Sequence, residues 1–263
     1  MTTLQQAIEQ AQSAGHKAFI PYIMAGDGGL ETIQPTILNL QQLGVTAIEV
    51  GIPFTDPVAD GPTIEQAGER ALAAGVTLRK VLQTLASFRE DIKVPLVVMT
   101  YFNPVLAYGL DNFAQACVAA GVKGLIVPDV PLEESEILRE ALNPYAIDIV
   151  QLVSLTSPPE RITRIAAASQ GFVYAVTVNG ITGARANFAD NLEHHFARLR
   201  QASPIPVLAG FGISTPEQVK KMGALGDGVI VGSAIVTALH KGDMTTVEAL
   251  IAASKDIRTK STQ

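Results

Sequence analysis

Cysteine is nearly absent from this chain: among 263 residues there is one, Cys117. A single thiol excludes an internal disulfide and any multi-cysteine metal site. Its setting, Phe-Ala-Gln-Ala-Cys-Val-Ala-Ala, carries no nucleophile motif and reads as a packed helix face. Charge is scarce as well, at 17% of residues, with a net value of −6 and no basic run. Nucleic acid and anionic membrane are therefore poor partners. No apolar run reaches the roughly 18 uninterrupted residues that a membrane span needs. The amino terminus, Met1-Thr-Thr-Leu-Gln-Gln-Ala-Ile-Glu-Gln10, is an amphipathic helix without a basic leader, so a cytoplasmic location is expected. Gly-x-Ser-x-Gly, His-Glu-x-x-His and Walker patterns are missing, and Gly26-Asp-Gly-Gly29 lacks dinucleotide spacing and reads as a turn. His194 and His195, adjacent on a helix, point about 100° apart and cannot chelate one ion together. No metal is expected.

What the chain has in quantity is apolar residues, 48% of the total, enough for a large core and too many for disorder. They fall into eight strand-like runs: 18–24, 46–52, 95–101, 124–127, 147–153, 171–178, 205–209 and 228–231. Most are continuous rather than alternating, as in strands buried on both faces. Helical periodicity fills the intervals at 30–43, 63–89 with a break at Gly75, 110–120, 132–142, 158–168, 191–201, 216–222 and 245–255. Ser157 and Ser214 stand as N-caps with Glu three residues on, and Gly44, Gly121 and Gly223 stand as C-caps. Eight strands each followed by helix, in a length close to the roughly 250 residues typical of the fold, predict a (β/α)8 TIM barrel. An open doubly wound sheet is the competing architecture. The barrel reading adds an extra N-terminal helix and a short phosphate-binding helix after strand eight. No linker divides the chain, which reads as one domain over 1–263 with a frayed polar tail at 254–263.

One stretch stands apart: Ala47-Ile-Glu-Val-Gly-Ile-Pro-Phe-Thr-Asp-Pro-Val-Ala-Asp-Gly-Pro-Thr63. Glu49 is the only charge on an apolar strand, where an unpaired ion costs several kcal/mol. Asp56 and Asp60 follow on a proline-stiffened loop. Read alone, these residues fit divided acid/base work or an ion-paired Glu with two turn-forming Asp residues. In a barrel the loops after the strands share the functional face, which puts Glu49 and Asp60 there. The loops after strands six to eight, Asn179–Asn187, Gly210–Ser214 and Gly232–Ile235, bring glycines to the same face. A helix starting at Ser233 would aim free N–H groups at an anion, the phosphate arrangement common in such barrels. Asp129 is a further candidate for the barrel mouth. Tyr101, Tyr174 and Phe211 fit either core packing or site lining.

Four segments carry a family resemblance: Pro21-Tyr-Ile-Met-Ala-Gly-Asp27, the Glu49–Thr63 run, Gly124-Leu-Ile-Val-Pro-Asp-Val-Pro131 and Gly183-Ala-Arg. Together they resemble the tryptophan synthase alpha chain family, from the first helix to about Lys241. The resemblance implies a (β/α)8 barrel that cleaves indole-3-glycerol phosphate to indole and glyceraldehyde 3-phosphate. It implies an α2β2 complex whose beta chain carries pyridoxal phosphate and receives indole through a tunnel, with no cofactor in this chain. The family's catalytic Glu and Asp fall on Glu49 and Asp60. Its phosphate contacts fall on Gly183, Ala184, Phe211, Gly212, Gly232 and Ser233, and its mobile loop-six threonine on Thr182. Ser154-Leu155 and Asn179 depart from the family's commoner residues without touching the acid/base pair.

For that reaction Asp60, ionised, accepts the indole N–H, while Glu49 protonates C3 and takes the proton of the glycerol hydroxyl. Asp56 and Pro57, with Asn103-Pro104 and Asp129–Pro131, share the rim with the site and are the expected docking points for a beta chain. A lyase working alone and a non-catalytic activating subunit are the rival readings.

Overall fold

The computed structural model describes residues 2–154, 157–176 and 185–257, with backbone alone over 185–191. Nine strands are found among the described residues: β1 Ala18–Met24, β2 Ile48–Gly51, β3 Leu96–Met99, β4 Val122–Ile126, β5 Asp148–Ile149, β6 Gln151–Ser154, β7 Val173–Val176, β8 Val207–Gly210 and β9 Gly228–Val231. Every pairing is parallel, in the order β5-β4-β3-β2-β1-β9-β8-β7-β6. The two ends of that order, β5 and β6, are separated in sequence only by Val150. One stretch of chain therefore pairs with β4 through its first half and β7 through its second, and the sheet curls onto itself as a barrel. The run expected as a single fifth strand is broken because the Val150 N–H bonds Leu125 as the chain changes partners.

All residues of β1, β2, β3, β8 and β9 are buried, as expected of strands enclosed between a barrel interior and a helix ring. The ring comprises α1 Leu4–Ser13, α2 Ile33–Gln42, α3 Pro62–Ala73, α4 Leu78–Ser87, α5 Phe102–Tyr108, α6 Leu110–Ala120, α7 Glu136–Leu142, α8 Pro159–Ala168, α9 Arg185–Ala202, α10 Pro216–Leu225, α11 Ser233–His240 and α12 Met244–Lys255. Leu4 and Ile8 of α1 are fully buried, with the Leu4 side chain lying against Gly124 and Gly171. The N-terminal helix thus plugs the lower mouth. Gln12 bonds Asp227 at 2.8 Å just ahead of β9 and ties the helix to the barrel floor.

Several local expectations are corrected. Helix α5 was not anticipated; it starts where the Asp129 carboxylate accepts the Phe102 N–H at 3.1 and 3.2 Å, so Asp129 caps a helix. Pro158, not Ser157, is the N-cap of α8 and supplies no side-chain bond. Thr215, not Ser214, caps α10, in a reciprocal box with Gln218. Gly223 lies inside α10 rather than at its end, where a Cβ would crowd Ile257. Ordered structure also persists past 254: Ser254 is buried, and Lys255 donates to the Leu43 carbonyl at 3.0 Å. Residues 258–263 lie outside the described residues. No described helix is long and apolar enough to cross a membrane.

Candidate active site

The upper mouth, at the C-terminal ends of the strands, opens into a cavity of about 200 Å³. Much of its lining comes from Tyr22 on β1, Glu49 on β2, the loop 59–61, Tyr174 on β7, Phe211–Ser214 after β8, and Gly232-Ser233 after β9. Met99, Ile64 and Ile230 form apolar walls. Glycines at the strand ends make the room. A Cβ at Gly51 would overlap the Tyr22 hydroxyl, and one at Gly210 would overlap the Tyr174 ring. Both tyrosines therefore lean toward the mouth from positions lower in the barrel.

Glu49 is 1% exposed, and neither of its carboxylate oxygens has a hydrogen-bond partner among the described residues. Burial, and then the charge of Asp60, push its pKa up to about 8. Asp60 is half-buried on the loop that leads into α3, and burial raises it to about 6 against a counteracting hydrogen bond from Tyr101. Tyr101 also accepts the Ala59 N–H at 3.1 Å and stacks on Phe54 with centroids 5.2 Å apart. It braces the Asp60 loop from beneath. The ion-paired reading of Glu49 is thus excluded within the described residues. Near neutral pH the pair holds one protonated and one ionised carboxyl, which is the state a general acid beside a charge stabiliser requires.

The other end of the cavity is built from backbone. Phe211 and Gly212 have φ of 70° and 71°, and the left-handed region costs a bulky residue about 1–3 kcal/mol. That strain turns the chain after β8 sharply and leaves the Phe211 ring half-exposed, 5.7 Å from Tyr174. Helix α11 begins at Ser233 directly after Gly232, so its first N–H groups and positive dipole end face the cavity.

Glu49, Asp60, Tyr174, Phe211, Gly212, Gly232 and Ser233 are thereby brought around one cavity. Thr182, Gly183 and Ala184 lie outside the described residues, as do Leu155 and Asn179. Asp56 and Pro57 are on the rim, next to Val58, which is 82% exposed. Sequence reasoning did not single out Tyr22. The signal was present, since Ile20, Tyr22 and Met24 share one strand parity and Tyr22 is the polar one. A larger cavity of about 410 Å³ lies between β1, α2 and α11. Its carboxylate Asp27 is already engaged by two 2.7 Å bonds from Arg70, in contrast to the unpartnered Glu49.

A parallel barrel with a carboxylate pair at one end of its mouth and a helix N-terminus at the other has the frame of a barrel enzyme, with acid/base groups facing an electropositive end. A model of the tryptophan synthase alpha chain family matches residues 8–261. The tryptophan synthase alpha chain of Bacillus mycoides is 49% identical over 242 residues, 92% of this chain and 94% of that one. That of Bacillus thuringiensis is 48% identical over 250 residues, 95% and 97% of the two chains. Among solved structures, tryptophan synthase from M. tuberculosis superposes with a TM-score of 0.87 at 34% identity, covering 97% of this chain and all (100%) of that chain. The alpha chain from Legionella pneumophila gives 0.86 at 30% identity, covering 98% of each. The chain belongs to the tryptophan synthase alpha chain family. Its reaction is the carbon–carbon lyase cleavage of indole-3-glycerol phosphate to indole and glyceraldehyde 3-phosphate, in company with a beta chain.

Proposed function

We propose that Glu49 and Asp60 divide the acid/base work of this cleavage. Phe211, Gly212, Gly232 and Ser233, together with Gly183 and Ala184, hold the substrate's phosphate. The observation that carries this reading is the unpartnered Glu49 carboxyl, buried beside Asp60 in the cavity whose far end is the start of α11. Indole C3 leaves poorly as a carbanion, so it is protonated first. Glu49, protonated near neutrality, supplies that proton, and the positive charge that appears on the indole nitrogen is met by ionised Asp60. The Glu49 carboxylate then takes the proton of the adjacent glycerol hydroxyl. The C–C bond breaks, its electron pair returns to the ring, and the aldehyde and indole separate with Glu49 restored.

The phosphate is remote from the breaking bond, so its binding serves to place the indole between the two carboxyls. Tyr174 packs against that position, and Thr182 supplies a further contact to the substrate. The whole of 1–263 acts as one barrel domain in the cytoplasm, with no cofactor of its own. Pyridoxal phosphate belongs to the beta chain of an α2β2 assembly. The exposed turn Asp56-Pro57-Val58 beside the mouth is the docking point for that partner.

Indole release from indole-3-glycerol phosphate by the purified chain, alone and with a beta chain, tests the reading. Slow release that rises strongly with the partner is expected. No release under either condition would overturn it.

A further inference from the structure

Tyr22 is 6% exposed and lies on β1 in register with Glu49, so both side chains point into the barrel from neighbouring strands. Its stem stands beside the phosphate end: a Cβ on Gly232 would sit 3.8 Å from the Tyr22 Cβ. Its hydroxyl reaches upward into space left open by Gly51, two residues beyond Glu49. Burial, followed by the charges of Asp60 and Glu49, holds its phenol well above the usual range, with no hydrogen bond contributing. Tyr22 thus spans the interval between the phosphate anchor and the carboxylate pair, with a cavity-facing hydroxyl that no described residue engages.

A phenol whose hydroxyl opens into a cavity is available to a ligand that supplies a hydrogen bond there. Indole-3-glycerol phosphate has two hydroxyls, and both lie between its phosphate and its indole. With the phosphate at Ser233 and the indole nitrogen at Asp60, those hydroxyls fall alongside Tyr22. We infer that the Tyr22 hydroxyl hydrogen-bonds the glycerol portion of the substrate and orients the hydroxyl that Glu49 deprotonates. Tyr22 is then a substrate-positioning residue that selects the hydroxylated chain over a bare alkyl one. The inference rests on the proposed placement of phosphate and indole.

Tyr22→Phe removes one oxygen and keeps the ring, so the barrel packing is preserved. The test compares the parent and Tyr22→Phe with two ligands: indole-3-glycerol phosphate, and an analogue with a plain propyl chain in place of the glycerol. The expected result is a fall of about tenfold in kcat/KM for cleavage, with affinity for the propyl analogue unchanged. Cleavage within twofold of the parent would overturn the inference, as would equal losses for both ligands, which would reduce Tyr22 to packing. A parent that fails to cleave, or Glu49→Gln that cleaves normally, would instead overturn the underlying placement.

Discussion

The two mouths of the barrel are built to opposite rules. At the lower mouth the charged groups ahead of β1, β8 and β9 are tied down: Asp227 accepts Gln12 at 2.8 Å and the Val207 N–H at 2.9 Å, and Lys17 donates to the Gly226 carbonyl at 2.8 Å. Leu4 closes the centre with an apolar side chain. At the upper mouth Glu49 is equally buried but has no partner among the described residues, and Phe211 sits in a strained backbone conformation. One fold thus anchors its charged groups at one end and leaves a fully buried carboxyl unpaired at the other. A buried acid without a partner is the kind of deficit that marks a functional site.

The sharpest way to break this contrast is to change one residue at each end. Glu49→Gln removes the acid that the upper mouth leaves unsatisfied, and cleavage should fall by about 10²–10⁴-fold or more. Binding of a phosphate ligand should stay nearly constant; turnover within tenfold of the parent would refute the role. Leu4→Ala should do the reverse. Emptying that plug costs about 2–5 kcal/mol of stability, read by urea unfolding, while turnover per folded molecule holds steady. A large change in kcat would mean that the two ends are not separable.

Glu49 should also weaken the fold it serves. Its pKa is raised to about 8, so the folded barrel favours the protonated form. That contribution is complete below the ordinary glutamate range and is lost as pH rises through about 8. Unfolding free energy should therefore decline by up to about 1.4 kcal/mol per pH unit across that window, and Glu49→Gln should lack this share. Identical pH profiles for the two proteins would contradict the burial of an unpaired acid. A smaller effect is expected from Gly212→Asp, which places a charge and a Cβ at a φ of 71° beside the anion site. KM should rise by about tenfold or more with kcat less affected; an unchanged KM would count against the anchor.

The legible and illegible parts of this molecule divide along physical lines. Strands β1 and β9 were bounded correctly because continuous burial writes itself as an unbroken apolar run. The start of α11 at Ser233 was also legible, because Gly232 and the apolar run after it mark a turn into a helix. Helix α5 was missed because Phe-Asn-Pro carries no helix-start pattern, its cap being supplied by Asp129 from 27 residues away. The break at Val150 depends on which neighbours the strand meets, which a linear pattern does not contain. At the site, Glu49 was conspicuous as a lone charge on an apolar strand, while Tyr101 reaches Asp60 through a loop closure visible only in three dimensions. Tyr22 was hidden for a related reason. Its hydroxyl matters because Gly51, on another strand, leaves space for it.

The unpartnered Glu49 carboxyl and its neighbour Asp60 at the upper mouth are proposed to perform the cleavage. The most direct test is the pH dependence of kcat/KM for indole release in the presence of the beta chain. A bell with limbs near pH 6 and 8 is expected, from the apparent ionisations of the Asp60–Glu49 pair. A flat profile across that window, or a bell that survives unchanged in Glu49→Gln, would contradict it.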